Sequence, residues 1–253
     1  VYKTSQYFST RPTYVRITET MSDKISKVTS TVAENIGTIR NKISAATLAY
    51  QTQTGIVRPV NMVAVSKRQP NDRIDAALAA GQRVFGENRV QEARGRWTNR
   101  LEFFGDLKLH LIGPLQTNKV SDAVMLFDII EVVDRPKLAR ALGVEMIRQR
   151  RQLECYIQVN TGEEQQKSGI APDDADDFIV YCRDEAKLKI TGLMCIPPVD
   201  EEVSMHFALL KTIAERNSIL TLSMGMSDDF EKAIAFGANS VRIGSAIFGQ
   251  RES

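Results

Sequence analysis

The chain has 253 residues, 43% hydrophobic and 25% charged, the composition of an ordinary globular protein. Its 33 basic and 31 acidic residues leave a net charge of +2, which gives no footprint for nucleic acid or an anionic membrane. No apolar run reaches the roughly 18 residues needed to span a bilayer. The three cysteines (Cys155, Cys182 and Cys195) are scattered with no CxxC pair, and His110 and His206 are the only histidines. That set argues against a metal site and for reduced thiols, so a cytoplasmic location is expected.

Residues 1–20 are rich in Ser and Thr and carry Lys3, Arg11 and Arg16 against one acid, Glu19. They read as a leader or extension. If it is a transit remnant, the destination is an organellar matrix; otherwise it is a non-functional leader, with Met21-Ser22 as the natural beginning. The folded domain is then 21–253. From Ser22, a plausible N-cap, Ile25, Val28, Val32, Ile36, Ile39 and Ile43 recur at spacings of three and four. This predicts a long amphipathic helix ending near Gly55.

From residue 60 onward, short apolar runs alternate with amphipathic stretches. The predicted strands are 60–65, 83–85, 109–112, 128–132, 155–159, 188–193, 220–223 and 240–243. Predicted helices cover 72–80, 116–126, 136–150, 173–183, 202–216 and 228–236, with Gly81, Gly143 and Gly237 placed as C-caps. The cluster Arg148-Gln149-Arg150-Arg151 reads as a solvated helix end that complements the helix dipole. Strand–helix alternation implies parallel strands with crossover helices. Eight such units, with no linker and no GxGxxG or P-loop motif, favour one closed (β/α)8 barrel over a doubly wound sheet, with the first helix packed outside it.

In such a barrel the active face is the C-terminal end of the strands. Here those ends gather polar residues: Ser66-Lys67, Glu87-Asn88, His110 and the following Gly113 to Lys119, Asn160-Thr161, Ser223 to Ser227, and Arg242 to Ser245. Singly, a lysine after a strand is ordinarily solvated and a strand histidine ordinarily a core residue. Their recurrence at one end of successive strands is what points to a site. Ser223 with Gly225, and Gly244-Ser245 opening a short helical segment, match the phosphate cradle that barrels build after strands seven and eight. A partly desolvated lysine loses its proton more readily, and the neutral amine attacks an aldehyde. Lys67 facing a phosphate site therefore suits pyridoxal 5′-phosphate (PLP), or a Schiff-base aldolase acting on a sugar phosphate.

Val65-Ser66-Lys67, Phe85-Gly86-Glu87-Asn88, the run from His110 to Lys119, Lys167-Ser168-Gly169, Gly192-Leu193-Met194, Ser223 to Asp229 and Val241 to Gly249 resemble the pyridoxal phosphate homeostasis proteins. The resemblance spans about residue 25 to residue 251 and implies the barrel of alanine racemase, a fold-type III PLP barrel without the C-terminal β domain. It implies PLP as cofactor, held as a Schiff base on Lys67. By the same analogy Ser223, Gly244 and Ser245 hold the phosphate, Arg242 faces the pyridine nitrogen and Asn88 lies near the ring.

An always-protonated guanidinium beside the ring nitrogen disfavours a pyridinium and weakens the ring as an electron sink. A two-base racemase also needs a second acid/base, often a tyrosine. Of the tyrosines only Tyr156 is positioned to point inward, and packing suits it better. The expected function is a PLP carrier in vitamin B6 homeostasis, with PLP-requiring apo-enzymes as partners and a monomeric state. A PLP-dependent racemase or decarboxylase is the alternative, and no metal is expected.

Overall fold

In the computed structural model, backbone structure is described for residues 14–249 and side chains from residue 28. Residues 1–13 of the expected leader lie outside the described residues. The first helix, α1 (Tyr14–Thr54), begins eight positions before the expected cap at Ser22. It ends as expected: Gly55 takes φ 73° and its N–H donates to the Gln51 carbonyl. Val32, Ile36, Ile39 and Ile43 form its buried stripe, and each such side chain contributes roughly 1.5–3 kcal/mol on removal from water.

Eight parallel strands then close a barrel in sequence order. They are β1 (Asn61–Val65), β2 (Val84–Glu87), β3 (Lys108–Leu111), β4 (Ile129–Val133), β5 (Glu154–Gln158), β6 (Lys189–Met194), β7 (Thr221–Ser223) and β8 (Ser240–Ile243). Every predicted strand is present, with ends moved by at most two residues. The crossover helices are α2 (Asn71–Ala79), α3 (Val90–Phe103), α4 (Val120–Leu126), α5 (Pro136–Gln149), α6 (Ala175–Asp184), α7 (Val203–Arg216) and α8 (Phe230–Ala235), followed by the short α9 (Ser245–Phe248). α1 packs outside the barrel on α2, α8 and α9, beside the seam where β1 meets β8. The Asn35 amide donates to the Ile247 carbonyl at 2.9 Å and fixes that contact.

Two expectations need correction. Gly143 is not a C-cap; it lies inside α5, where an added Cβ would sit 2.1 Å from the Ala186 carbonyl oxygen. Its role is close approach of helix to loop, and α5 is instead capped by Arg150 in the left-handed region at φ 54°. The basic cluster is also more than a solvated end. Arg151 donates to the carbonyls of Val124 and Phe127, so it satisfies the open C-terminus of α4. Gly81 and Gly237 do follow their helices with positive φ (78° and 97°), as expected.

Candidate functional site

The C-terminal ends of the strands enclose a cavity of about 240 Å³. Its wall includes Lys67 after β1, Asn88 after β2, Arg242 on β8, and Gly244 and Ser245 at the start of α9. Five of the six residues expected to hold the cofactor are thus brought together. A second cavity of about 590 Å³ adjoins it through Asn88 and runs along the start of α3 to Lys119.

The loop bearing Lys67 is held on both sides. Ser66 N–H donates to the Gly86 carbonyl at 3.0 Å, and Gln69 N–H closes a tight turn onto the Ser66 carbonyl at 3.1 Å. Arg68, inside that turn, takes φ 57°, a left-handed conformation that costs a non-glycine residue roughly 1–2 kcal/mol. The surrounding bonds hold it there. Arg96, on α3, donates to the carbonyls of Ser66 (2.9 Å) and Gln69 (3.0 Å), and to Glu87 Oε1 at 2.7 Å. Glu87 is fully buried and also accepts from the Ser66 hydroxyl at 2.7 Å and the Trp97 indole at 2.9 Å. Arg96 and Trp97 were missed from the sequence because α3 was not among the predicted helices.

Ser223 departs from expectation. It is 0% exposed and does not line the cavity. Its hydroxyl donates to Glu131 Oε2 at 2.6 Å and accepts from Arg242 Nη1 at 2.7 Å, so it is committed inside the barrel rather than offered to a phosphate. The hydroxyl at the cradle is Ser227, also on the cavity wall. Gly244 N–H and Ala246 N–H both converge on its Oγ, each at 3.3 Å. Those bonds are long, and two amides aimed at one point make an anion-binding geometry. Ser227 lay within the motif read after strand seven, but the sequence did not say which serine turns outward.

Arg242, 4% exposed, is anchored by Ser223 and by the Cys195 carbonyl, 2.7 Å from Nη2. Burial alone would raise the pKa of Glu131. Its hydrogen bond to His110 (2.6 Å) and the charges of His110 and Arg242 overcome that, and the carboxyl is held below its ordinary value. Glu131 was legible only as a lone acid within the apolar strand Ile129–Val133. The β4–β5 register shifts between Ile130 and Val133, the interval that contains it, and such irregularities re-aim side chains.

Tyr156 is 4% exposed and absent from the cavity wall; its ring lies against Gly192, where an added Cβ would come within 2.6 Å of Cδ1. The titratable groups on that wall, among the described residues, are Lys67, Asp228 and Arg242.

The residues present fit PLP. Lys67 supplies an amine, the Gly244/Ala246 amides and Ser227 supply donors for a phosphate, and the Asn88 Oδ1 is a buried polar atom with no protein partner.

Residues 31–252 match the family model described as alanine racemase, N-terminal domain. The chain is 37% identical over 235 residues to the pyridoxal phosphate homeostasis protein of Escherichia coli K12, covering 87% of this chain and 97% of that one. To the protein of the same name from Pseudomonas aeruginosa PAO1 it is 39% identical over 228 residues, covering 88% and 97%. The chain belongs to the pyridoxal phosphate homeostasis proteins. Among solved structures, PipY of Synechococcus elongatus with PLP bound is similar with a TM-score of 0.73 and 33% identity, covering 86% of this chain and all (100%) of that one. The alanine racemase of Bartonella henselae with covalently bound pyridoxal phosphate shares the fold, with a TM-score of 0.67 and 14% identity over 89% of this chain and 61% of that one.

Proposed function

We propose that this barrel binds PLP reversibly and acts as a carrier that supplies it to PLP-requiring apo-enzymes. The supporting observation is that Lys67 and Ser227 line the same cavity, with the backbone amides of Gly244 and Ala246 converging on the Ser227 hydroxyl. Lys67 holds the aldehyde as a Schiff base, and the Gly244–Ala246 amides with Ser227 and Ser245 hold the phosphate. Arg242 faces the ring nitrogen, and Asn88 completes the wall beside the ring. Bound PLP supplies an electrophilic imine and a conjugated ring. The protein's own residues orient it and, through Arg242, restrain the ring from drawing electrons as a pyridinium does.

A carrier without robust turnover is supported by what the cavity wall offers. Among the described residues no tyrosine lies on it, and the acid on it, Asp228, is exposed.

The test measures binding of PLP, of pyridoxal lacking the phosphate, and of inorganic phosphate as competitor. It then follows whether the loaded protein restores activity to an apo-enzyme. The reading expects tight PLP binding, weak pyridoxal binding and restoration, with negligible conversion of amino acids. Rapid racemisation or decarboxylation would replace the carrier with an enzyme.

A further inference from the structure

The barrel interior carries a charged chain that cofactor binding alone does not require. Glu131, 0% exposed on β4, receives His110 Nδ1 from β3 at 2.6 Å and the Ser223 hydroxyl from β7 at 2.6 Å. Ser223 accepts from Arg242 Nη1 on β8 at 2.7 Å. A guanidinium has only donors and a hydroxyl has one proton, so the direction is fixed: Arg242 donates to Ser223, and Ser223 donates to Glu131. Barrel interiors are ordinarily filled by branched aliphatic side chains, and a buried charge persists only when paired. Here one end of the chain of bonds is the guanidinium on the cavity wall.

The other groups around the carboxylate leave it as the countercharge. Tyr156, on β5, has its phenol pushed up by burial and then by the charges of Glu131 and Glu154. The Cys195 thiol, beside Arg242, is pushed up to about 12 by burial. Both are neutral. Glu154 is half-exposed and paired to Lys189 at 2.8 Å. Among the described residues, Glu131 is the one carboxylate bonded into the chain that ends at Arg242.

We infer that Glu131 is a positioning residue for the cofactor, which through Ser223 orients Arg242 and offsets its charge. It thereby sets the field that the ring and the Schiff base on Lys67 experience. The inference rests on the PLP reading above. With the carboxylate neutralised, Arg242 loses its buried countercharge and keeps only the exposed Asp228 as an acid on the same wall, so a protonated imine nearby becomes harder to keep. A merely structural role would alter stability without moving that proton equilibrium.

The experiment loads the wild-type protein, E131Q, E131D and S223A with PLP and follows the visible absorption band of the bound cofactor against pH. In E131Q the midpoint is expected to fall by roughly one unit, a tenfold change in the protonation equilibrium. E131D keeps the charge and is expected to return towards the wild-type midpoint. S223A keeps both charges but frees the guanidinium, and is expected to shift the midpoint less and to weaken PLP binding. Should E131Q not fold, S223A carries the test. Unchanged midpoints and affinities in every folded variant would overturn the inference alone. A wild-type protein that develops no band at all would overturn the cofactor reading, and this inference with it.

Discussion

Arg96 and Lys67 are never in sequence proximity, yet the guanidinium of the first spans the carbonyls on either side of the second, at Ser66 (2.9 Å) and Gln69 (3.0 Å). The same guanidinium neutralises the fully buried Glu87 at 2.7 Å. One residue of α3 therefore fixes the turn that carries Lys67 and balances the buried acid Glu87.

Replacing Arg96 tests this directly. Arg96→Ala leaves a buried carboxylate unpaired, a change that costs about 3–5 kcal/mol in folded proteins. Arg96→Lys keeps the charge but loses the fork that reaches several acceptors at once. The lysine variant is expected to fold with reduced stability and to bind PLP more weakly. Urea denaturation and equilibrium dialysis read the two effects separately, and wild-type values in both would remove Arg96 from the account.

The glycines of the cradle are expected to behave differently from one another. At Gly244 an added Cβ meets Val65 Cβ at 3.5 Å, an ordinary contact, so Gly244→Ala should fold normally and lose affinity only where the backbone meets the phosphate. At Gly225 the Cβ would lie 2.6 Å from that of Ala233, with φ at 92°. Gly225→Ala should therefore lose about 1–3 kcal/mol whether or not PLP is present. Thermal melts with and without PLP distinguish them.

Glu131 gives the molecule an acid-sensitive element. Its folded-state carboxyl is held below the ordinary 4.5, so the stability it contributes is complete above that value and is lost as pH falls through the lower folded value. Glu131→Gln should lower stability at neutral pH, where Arg242 loses its buried countercharge, and flatten the decline on acidification. Denaturant midpoints across a pH series check this; a parallel decline in both proteins would contradict it.

The three thiols are expected to be silent in the native state. Cys155, Cys182 and Cys195 are free and buried, and burial pushes the thiols of Cys182 and Cys195 up to about 12. A thiol reagent should label none of them until the chain is unfolded, since the thiolate is the reactive form.

The barrel was legible because each strand is a short apolar run between amphipathic stretches. α3 was not, because its buried face consists of Val90, Ala93 and Trp97 amid four arginines of the segment 89–100, with Gly95 at its centre. Lys67, Asn88, Arg242, Gly244 and Ser245 could be placed at one end of the barrel from strand order alone. The direction of Ser223 is not legible in the sequence, because it is the last residue of β7 and whether it faces lumen or ligand depends on the partners that reach it, Glu131 and Arg242, from strands far off in sequence. The role of Gly143 is hidden for a related reason: its constraint is a contact with Ala186, which no local pattern records.

The proposed carrier function turns on Lys67 as the residue that binds PLP covalently. The decisive measurement is the absorbance spectrum of the PLP-loaded protein before and after borohydride, with mass spectrometry of the reduced product. A visible band that disappears on reduction and a pyridoxyl adduct on Lys67 are expected, both absent in Lys67→Ala. A protein that takes up PLP without a band, or an adduct on another lysine while Lys67→Ala still colours, would contradict it.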